Sequence, residues 1–114
     1  MTFTVAYAQG DDGAVCLRLA GELDMSTAPE LNAAVDQLIA DGHTRLLVDL
    51  SELTFCDSTG IAAFVRGDNT AAGLDGWLRL TGATGRVARV LSVTGLAEVL
   101  RYDPDADPAS HACR

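Results

Sequence analysis

The sequence contains no lysine, and its eight basic residues are all arginines, set against sixteen acidic residues. The formal net charge is therefore −8 at pH 7. An acidic surface repels the phosphates of nucleic acids and the anionic headgroups of membranes. We therefore expect no direct contact with nucleic acid, whereas a basic protein surface would be attracted.

Long hydrophobic stretches are also missing. No apolar run approaches the about 20 residues of a transmembrane helix, and the N-terminus lacks the basic and then apolar pattern of an export signal. With 114 residues, of which 48% are hydrophobic, the chain has material for one folded domain with its own core. We expect a single cytoplasmic domain with no membrane contact.

Cysteine is scarce, and positions 16, 56 and 113 have the spacing of neither a metal site nor a disulfide framework. Cys16 lies in a segment of alternating polarity. Cys56 has no basic neighbour in the sequence that would activate its thiol, which argues against a redox sensor. We expect both to be packing residues, and all three thiols to be reduced.

Apolar residues recur with two different periods along the chain. Alternation over 3–8 and 14–20 predicts an antiparallel hairpin, and the apolar run at 45–50 predicts a buried parallel strand. A further strand is expected at 77–81. Helical spacing predicts one helix from Ser26 or Thr27 to Gly42 and others at about 59–72, 84–93 and 96–100. Together these elements predict an α/β domain whose sheet is mostly parallel, with four to five strands, one antiparallel edge and about four helices.

The most informative segment is DLSELTFCDSTGI, at residues 49–61. The apolar strand before it and the helical spacing after it place Asp57 and Ser58 at the start of a helix. Aspartate and serine are favoured N-cap residues there. A helix N-terminus also tolerates phosphate, because the positive end of the helix dipole lies there. A phosphorylation switch at Ser58 is therefore physically reasonable, with an ordinary helix cap as the alternative.

Three segments in order resemble a known family. They are GELD at 21–24 with TAP at 27–29, DSTGI at 57–61 after DL at 49–50, and RVL at 89–91 with TGL at 94–96. These motifs resemble the STAS domain, and specifically the bacterial anti-sigma factor antagonists. The ordered set extends over nearly the whole chain, so we expect a STAS domain at 1–102 and a flexible acidic tail at 103–114.

The resemblance implies a regulatory function. In that family, the serine of the Asp-Ser-Ser/Thr-Gly turn is phosphorylated by a partner that is both a serine kinase and an anti-sigma factor; here that serine is Ser58. The dephosphorylated protein would bind the anti-sigma factor and so release a sigma factor, as in stress responses or sporulation. A protein phosphatase would reset the switch. No enzyme activity and no cofactor of its own are expected.

A docking surface is expected around Ser58. Successive strand-to-helix junctions gather at one end of such a sheet, so Glu22 and Asp24 would lie beside it and face a basic patch on the kinase. A solvated, capped loop is the alternative for these two acids. The expected partner-binding residues are Glu22, Asp24, Asp57, Ser58, Thr59 and Gly60.

The positions of the histidines argue against the hypothesis that this protein is an enzyme. A nucleophilic serine needs a base within hydrogen-bond reach. His43 precedes the central strand while Ser58 follows it, and His111 lies in the tail. The turn also lacks the leading glycine of the hydrolase motif Gly-x-Ser-x-Gly. We therefore expect no hydrolase chemistry.

Two loop motifs suggest ligands that their details argue against. Residues 82–86 lie between a strand and a helix but lack the Lys-Ser/Thr end of a P-loop. Asp103, Asp105 and Asp107 alternate as in a calcium loop, but Pro108 stands where that loop requires glycine. We expect no metal site. The alternative functions are a nucleotide or small-molecule sensor of the STAS fold, or a scaffold in a stress-signalling assembly.

Overall fold

The N-terminal segments of alternating polarity form a β-hairpin. In the computed structural model, which describes residues 3–9 and 13–94, strand β1 (Phe3–Gln9) pairs antiparallel with strand β2 (Val15–Leu23). The predicted hairpin is confirmed. Strand β2 continues beyond its predicted end at Ala20 because its last residues also pair with the next strand of the sheet.

The remaining elements alternate between helix and strand. They are α1 (Ala28–Ala40), β3 (Arg45–Cys56), α2 (Ser58–Ala72), β4 (Trp77–Thr81) and α3 (Gly85–Thr94). The strands lie in the order β1-β2-β3-β4, and β2, β3 and β4 are parallel. The predicted α/β sheet with one antiparallel edge is confirmed. The described residues contain three helices; the fourth helix predicted at 96–100 and the tail at 103–114 lie outside them.

Helix α1 has the proline, the glycine and the apolar face that the sequence suggests, but its N-cap residue, Thr27, makes no side-chain capping hydrogen bond. Pro29 occupies its first turn, where a missing N–H is tolerated. Gly42 follows its last turn with a φ of 94°, a conformation that favours glycine. The side of α1 that faces the core carries Leu31, Val35 and Leu38, all buried. These residues pack with the strands and with the other helices in one hydrophobic core.

Helix α2 packs closely on the sheet. Phe64 is completely buried, and a Cβ at Gly67 would lie 2.7 Å from the Cδ1 of Leu78 in β4. A larger residue at position 67 would have to displace the end of the Leu78 side chain, so glycine permits this close approach of helix and strand.

Within the described residues, no helix is long and apolar enough to cross a bilayer.

Strand β3 is longer than the sequence predicts. The expected strand at 45–50 continues to Cys56, directly before Asp57. Leu53 and Cys56 are buried, while Ser51, Glu52 and Thr54 are exposed. Two register shifts between β2 and β3 interrupt the regular alternation of this stretch. An irregular strand of this kind resembles a polar turn in sequence.

The two described cysteines differ in their chemistry. Cys16 is 1% exposed and Cys56 is 5% exposed, so both are packing residues as predicted. Cys16 is disulfide-bonded, however, whereas Cys56 is a free thiol. The expectation that all three cysteines are reduced is therefore wrong for Cys16.

Candidate functional site

Two strand-to-helix junctions meet at one end of the sheet. Leu23, the last residue of β2, pairs with Cys56, the last residue of β3. Just beyond this pair, the backbone N–H of Asp57 donates to the carbonyl oxygen of Leu23 at 3.2 Å. The two junctions are therefore neighbours, as the sequence predicts. We call residues 22–27 and 55–60, which form them, the carboxyl-end surface.

Asp57 starts helix α2. Its backbone is extended, and its carboxylate accepts hydrogen bonds from the backbone N–H groups of Thr59 at 2.9 Å and Gly60 at 3.1 Å. These N–H groups belong to the first turn of the helix, where no carbonyl of the helix itself can accept from them. The predicted capping role of Asp57 is confirmed. Because Asp57 is the cap, Ser58 is not needed for that purpose.

Ser58 is the first residue of α2 and its side chain is exposed. Within the described part of the chain, its hydroxyl takes part in no hydrogen bond; the capping bonds are made by Asp57. The hydroxyl is therefore open to solvent at the positive end of a 15-residue helix.

Gly60 fixes the position of the turn against the core. It is buried, and a Cβ at this position would lie 2.8 Å from the Cγ of Leu23 and 2.9 Å from the Sγ of Cys56. Both distances are shorter than carbon and sulfur atoms normally tolerate. The glycine of the DSTG sequence is therefore required by packing, and it is not part of the exposed surface.

The thiol of Cys56 lies beneath the turn and is poorly reactive. Burial, together with the negative charge of Asp57, raises the pKa of the Cys56 thiol to about 12. The thiolate is the reactive form, so at neutral pH almost none of it is present. This supports the packing role of Cys56 against the redox-sensor alternative.

The junction before α1 is braced by Asp24. The Oδ1 atom of Asp24 accepts from the backbone N–H groups of Ser26 at 2.9 Å and Thr27 at 3.2 Å, and from the Ser26 hydroxyl at 2.6 Å. The Thr27 hydroxyl donates to the carbonyl oxygen of Glu22 at 2.9 Å. The bond from the Ser26 hydroxyl, followed by those from the backbone, lowers the pKa of Asp24. This is the capped loop that the sequence left open as an alternative, at the junction that neighbours the start of α2.

The sequence did not indicate one exposed apolar residue of this surface. Met25 is 76% exposed, and it lies between Asp24 and Ser26 in the braced loop. The available signal was positional, because Met25 follows Asp24 as Ser58 follows Asp57. Glu22 differs from both: its Oε2 atom is buried and has no hydrogen-bond partner.

Other kinds of site find no support in the described residues. His43 and Ser58 lie beyond opposite ends of β3, so the imidazole has no access to the hydroxyl. The loop at 82–85 lies against the buried carboxylate of Asp49, since a Cβ on Gly82 would lie 2.7 Å from its Oδ1 atom. This carboxylate also lies 3.7 Å from the Nε atom of Arg18, and an acidic group at this position does not favour phosphate. Between residues 3 and 94, the described part contains no group of three His, Cys, Asp or Glu side chains arranged to hold a metal ion.

Comparison with known proteins agrees with this geometry. The family model described as "Mlab, STAS domain" matches residues 7–102. The anti-sigma-B factor antagonist of Staphylococcus aureus is 31% identical over 87 residues, which cover 76% of this chain and 81% of the relative. That of Listeria monocytogenes is 28% identical over 100 residues, 88% of each protein. The crystal structure of an anti-sigma factor antagonist from Mycobacterium paratuberculosis is similar with a TM-score of 0.82 and 28% identity, over 95% of this chain and 91% of that one. The chain therefore belongs to the STAS domain family, in its group of anti-sigma factor antagonists.

Proposed function

We propose that this protein is a non-enzymatic partner switch controlled by phosphorylation of Ser58. In the dephosphorylated form it binds a cytoplasmic anti-sigma factor that is also a serine kinase, and so releases a sigma factor. The observation that carries this proposal is the exposed Ser58 hydroxyl on a turn that Asp57 caps without its help. A protein phosphatase returns the switch to its binding form.

The chemistry of the step belongs to the partner. The Ser58 Oγ atom attacks the γ-phosphorus of ATP, the bond between that phosphorus and the ADP oxygen breaks, and the hydroxyl proton passes to a base of the kinase. ATP and magnesium are bound by the kinase. This protein supplies only an acceptor that is accessible and held in place.

Electrostatics explain how one phosphate can end the interaction. The carboxyl-end surface carries the acids Glu22, Asp24 and Asp57 and no basic residue. A phosphoserine adds about −1.5 to −2 charges to it at neutral pH. The partner must then accommodate both a new bulk and a new charge. A loss of about 3 kcal/mol would weaken binding roughly a hundredfold, at 1.4 kcal/mol per decade.

The remaining residues of the surface support this function in different ways. Asp57 holds the turn through two backbone hydrogen bonds, and Gly60 lets the turn lie on Leu23. Glu22, Asp24 and Thr59 lie near the acceptor serine and form part of the surface that the partner contacts. Since the turn is already capped, phosphorylation changes the charge of the surface and leaves the fold unchanged.

Intact-mass measurement tests the proposal. Each anti-sigma factor of the host that carries a serine-kinase domain is purified and incubated with this protein, ATP and magnesium. We expect one kinase to add a single phosphate to the wild type and to Ser26→Ala, and none to Ser58→Ala. Ser26 is the matched control, because it is an exposed serine of the same surface whose hydroxyl is bound to Asp24.

The outcomes separate the alternatives. A phosphate that persists on Ser58→Ala, or no phosphorylation by any of these kinases, would contradict the switch. Nucleotide binding by the isolated protein without a partner would favour the sensor. Stable binding to a signalling complex with no phosphorylation would favour the scaffold.

A further inference from the structure

The carboxyl-end surface contains two outward-facing residues in equivalent positions. Asp57 accepts from the N–H groups two and three residues later, and Asp24 does the same in its own turn. In each case the residue directly after the aspartate is exposed. In one turn that residue is Ser58; in the other it is Met25.

The Met25 turn is held in place before any partner arrives. The Asp24 carboxylate accepts from the N–H groups of Ser26 and Thr27 and from the Ser26 hydroxyl, and the Thr27 hydroxyl donates to the carbonyl oxygen of Glu22. The N–H of Asp24 in turn donates to the Thr27 hydroxyl at 2.9 Å. A partner that buries Met25 therefore has little backbone to order, which favours binding.

The exposure of Met25 distinguishes it from the rest of its surface. Among the residues that the structure describes, the large hydrophobic side chains exposed by more than half are Tyr7, Met25, Leu74 and Val93. Tyr7 pairs with Leu17, far from the end of β2 at Leu23. Leu74 follows the last turn of α2 and Val93 lies in the last turn of α3, both away from the start of α2. Among the described residues, Met25 is thus the strongly exposed large apolar side chain beside Ser58. Methionine is enriched at protein interfaces, where its flexible thioether adapts to the opposing surface.

We infer that Met25 is the constant apolar anchor of the docking surface, and that it inserts into an apolar pocket with a basic rim on the anti-sigma factor. This rests on the proposed function of the Ser58 turn. The acids Glu22, Asp24 and Asp57 lie near Met25 and Ser58, and a basic rim on the partner's pocket would complement their negative charge. The two turns then have different functions. Met25 provides an apolar contact that phosphorylation does not alter, and the phosphorylation state of Ser58 determines whether the partner binds.

Binding by three variants tests the anchor. The dissociation constant for the purified anti-sigma factor with a serine-kinase domain is measured by calorimetry for the wild type, Met25→Ala, Met25→Leu and Leu74→Ala. We expect Met25→Ala to weaken binding at least tenfold, as for a central interface residue. Met25→Leu should bind within about threefold of the wild type, because it retains the apolar volume. Leu74→Ala, the matched control at 54% exposure, should bind like the wild type.

Phosphorylation kinetics supply a second readout. Met25→Ala should raise the KM of the kinase for this protein with kcat nearly unchanged, since the anchor contributes equally to the ground state and the transition state. If the wild type binds and Met25→Ala binds with the same affinity, the anchor is contradicted but the proposed function is not. Equal weakening by Leu74→Ala, or a change of oligomeric state in Met25→Ala, would also overturn the anchor. Failure of the wild type to bind any such factor would overturn the proposed function with it.

Discussion

The two strand-to-helix junctions use the same device with different outcomes. Asp24 and Asp57 each accept from backbone N–H groups two and three residues further along. In the first turn the nearby serine hydroxyl is bound to the aspartate, whereas in the second the serine hydroxyl is exposed and unbound. A hydroxyl that the fold does not use is one that a partner can modify without cost to the fold. The two turns differ in where the serine lies: Ser26 is two residues after Asp24 and its hydroxyl reaches the carboxylate, whereas Ser58 directly follows Asp57 and its hydroxyl stays exposed.

The largest effect on the fold is expected where the second turn meets the core. Gly60→Ala places a Cβ 2.8 Å from the Cγ of Leu23, which is itself fully buried. Overpacking of this kind costs about 1 to 3 kcal/mol in the free energy of unfolding. Denaturant unfolding should show that loss. Gly73→Ala is the control, because its Cβ would have no neighbour nearer than 3.5 Å and its φ is −64°.

Equal stability of the two glycine variants would mean that the turn is not seated on Leu23 as described. It would also remove the reason for a glycine in the second turn, which the first turn does not share: Thr27 occupies the corresponding position there.

A smaller effect is expected from the cap itself. Asp57→Ala removes the acceptor of two N–H groups and should lower the free energy of unfolding by about 1 to 2 kcal/mol. Asp57→Asn keeps an acceptor oxygen and should lie close to the wild type in thermal unfolding. If both variants melt like the wild type, Ser58 or solvent serves as the cap, and the contrast between the two turns is lost.

The smallest effect concerns the charge of the first turn. Hydrogen bonds from Ser26 and Thr27 lower the pKa of Asp24 below its usual value of 3.8. Stabilisation by a carboxylate with a lowered pKa is fully present above the unfolded-state pKa and is lost as the pH falls through the folded-state pKa. The difference in melting temperature between the wild type and Asp24→Asn should therefore be constant from pH 7 to about 5 and shrink below about pH 4. A difference that stays the same down to pH 3 would contradict the role of the charged form.

Much of the fold followed from the sequence because its periodicity is strong. The spacing of apolar residues predicted β4 at its observed bounds and α2 to within one residue at its start. Convergence of the two junctions also followed, since the carboxyl ends of parallel strands share one edge. Periodicity, together with the common edge of parallel strands, was sufficient for these features.

Other features depend on tertiary contacts that no local pattern records. The continuation of β3 to Cys56 relies on shifted pairing with β2, which the polar residues of 51–54 conceal. The exposure of Met25 could not be deduced from its type, since methionine is usually buried. The packing role of Gly60 likewise appears only when Leu23 is placed against it.

The most direct test compares the affinity of one anti-sigma factor for two forms of this protein. Calorimetry would measure the dissociation constant for the dephosphorylated protein and for protein carrying one phosphate on Ser58, with thermal unfolding of both as a control. We predict binding at least about a hundredfold weaker for the phosphorylated form, with nearly equal melting temperatures. Equal affinities, or a loss of affinity that accompanies a marked loss of stability, would contradict the account.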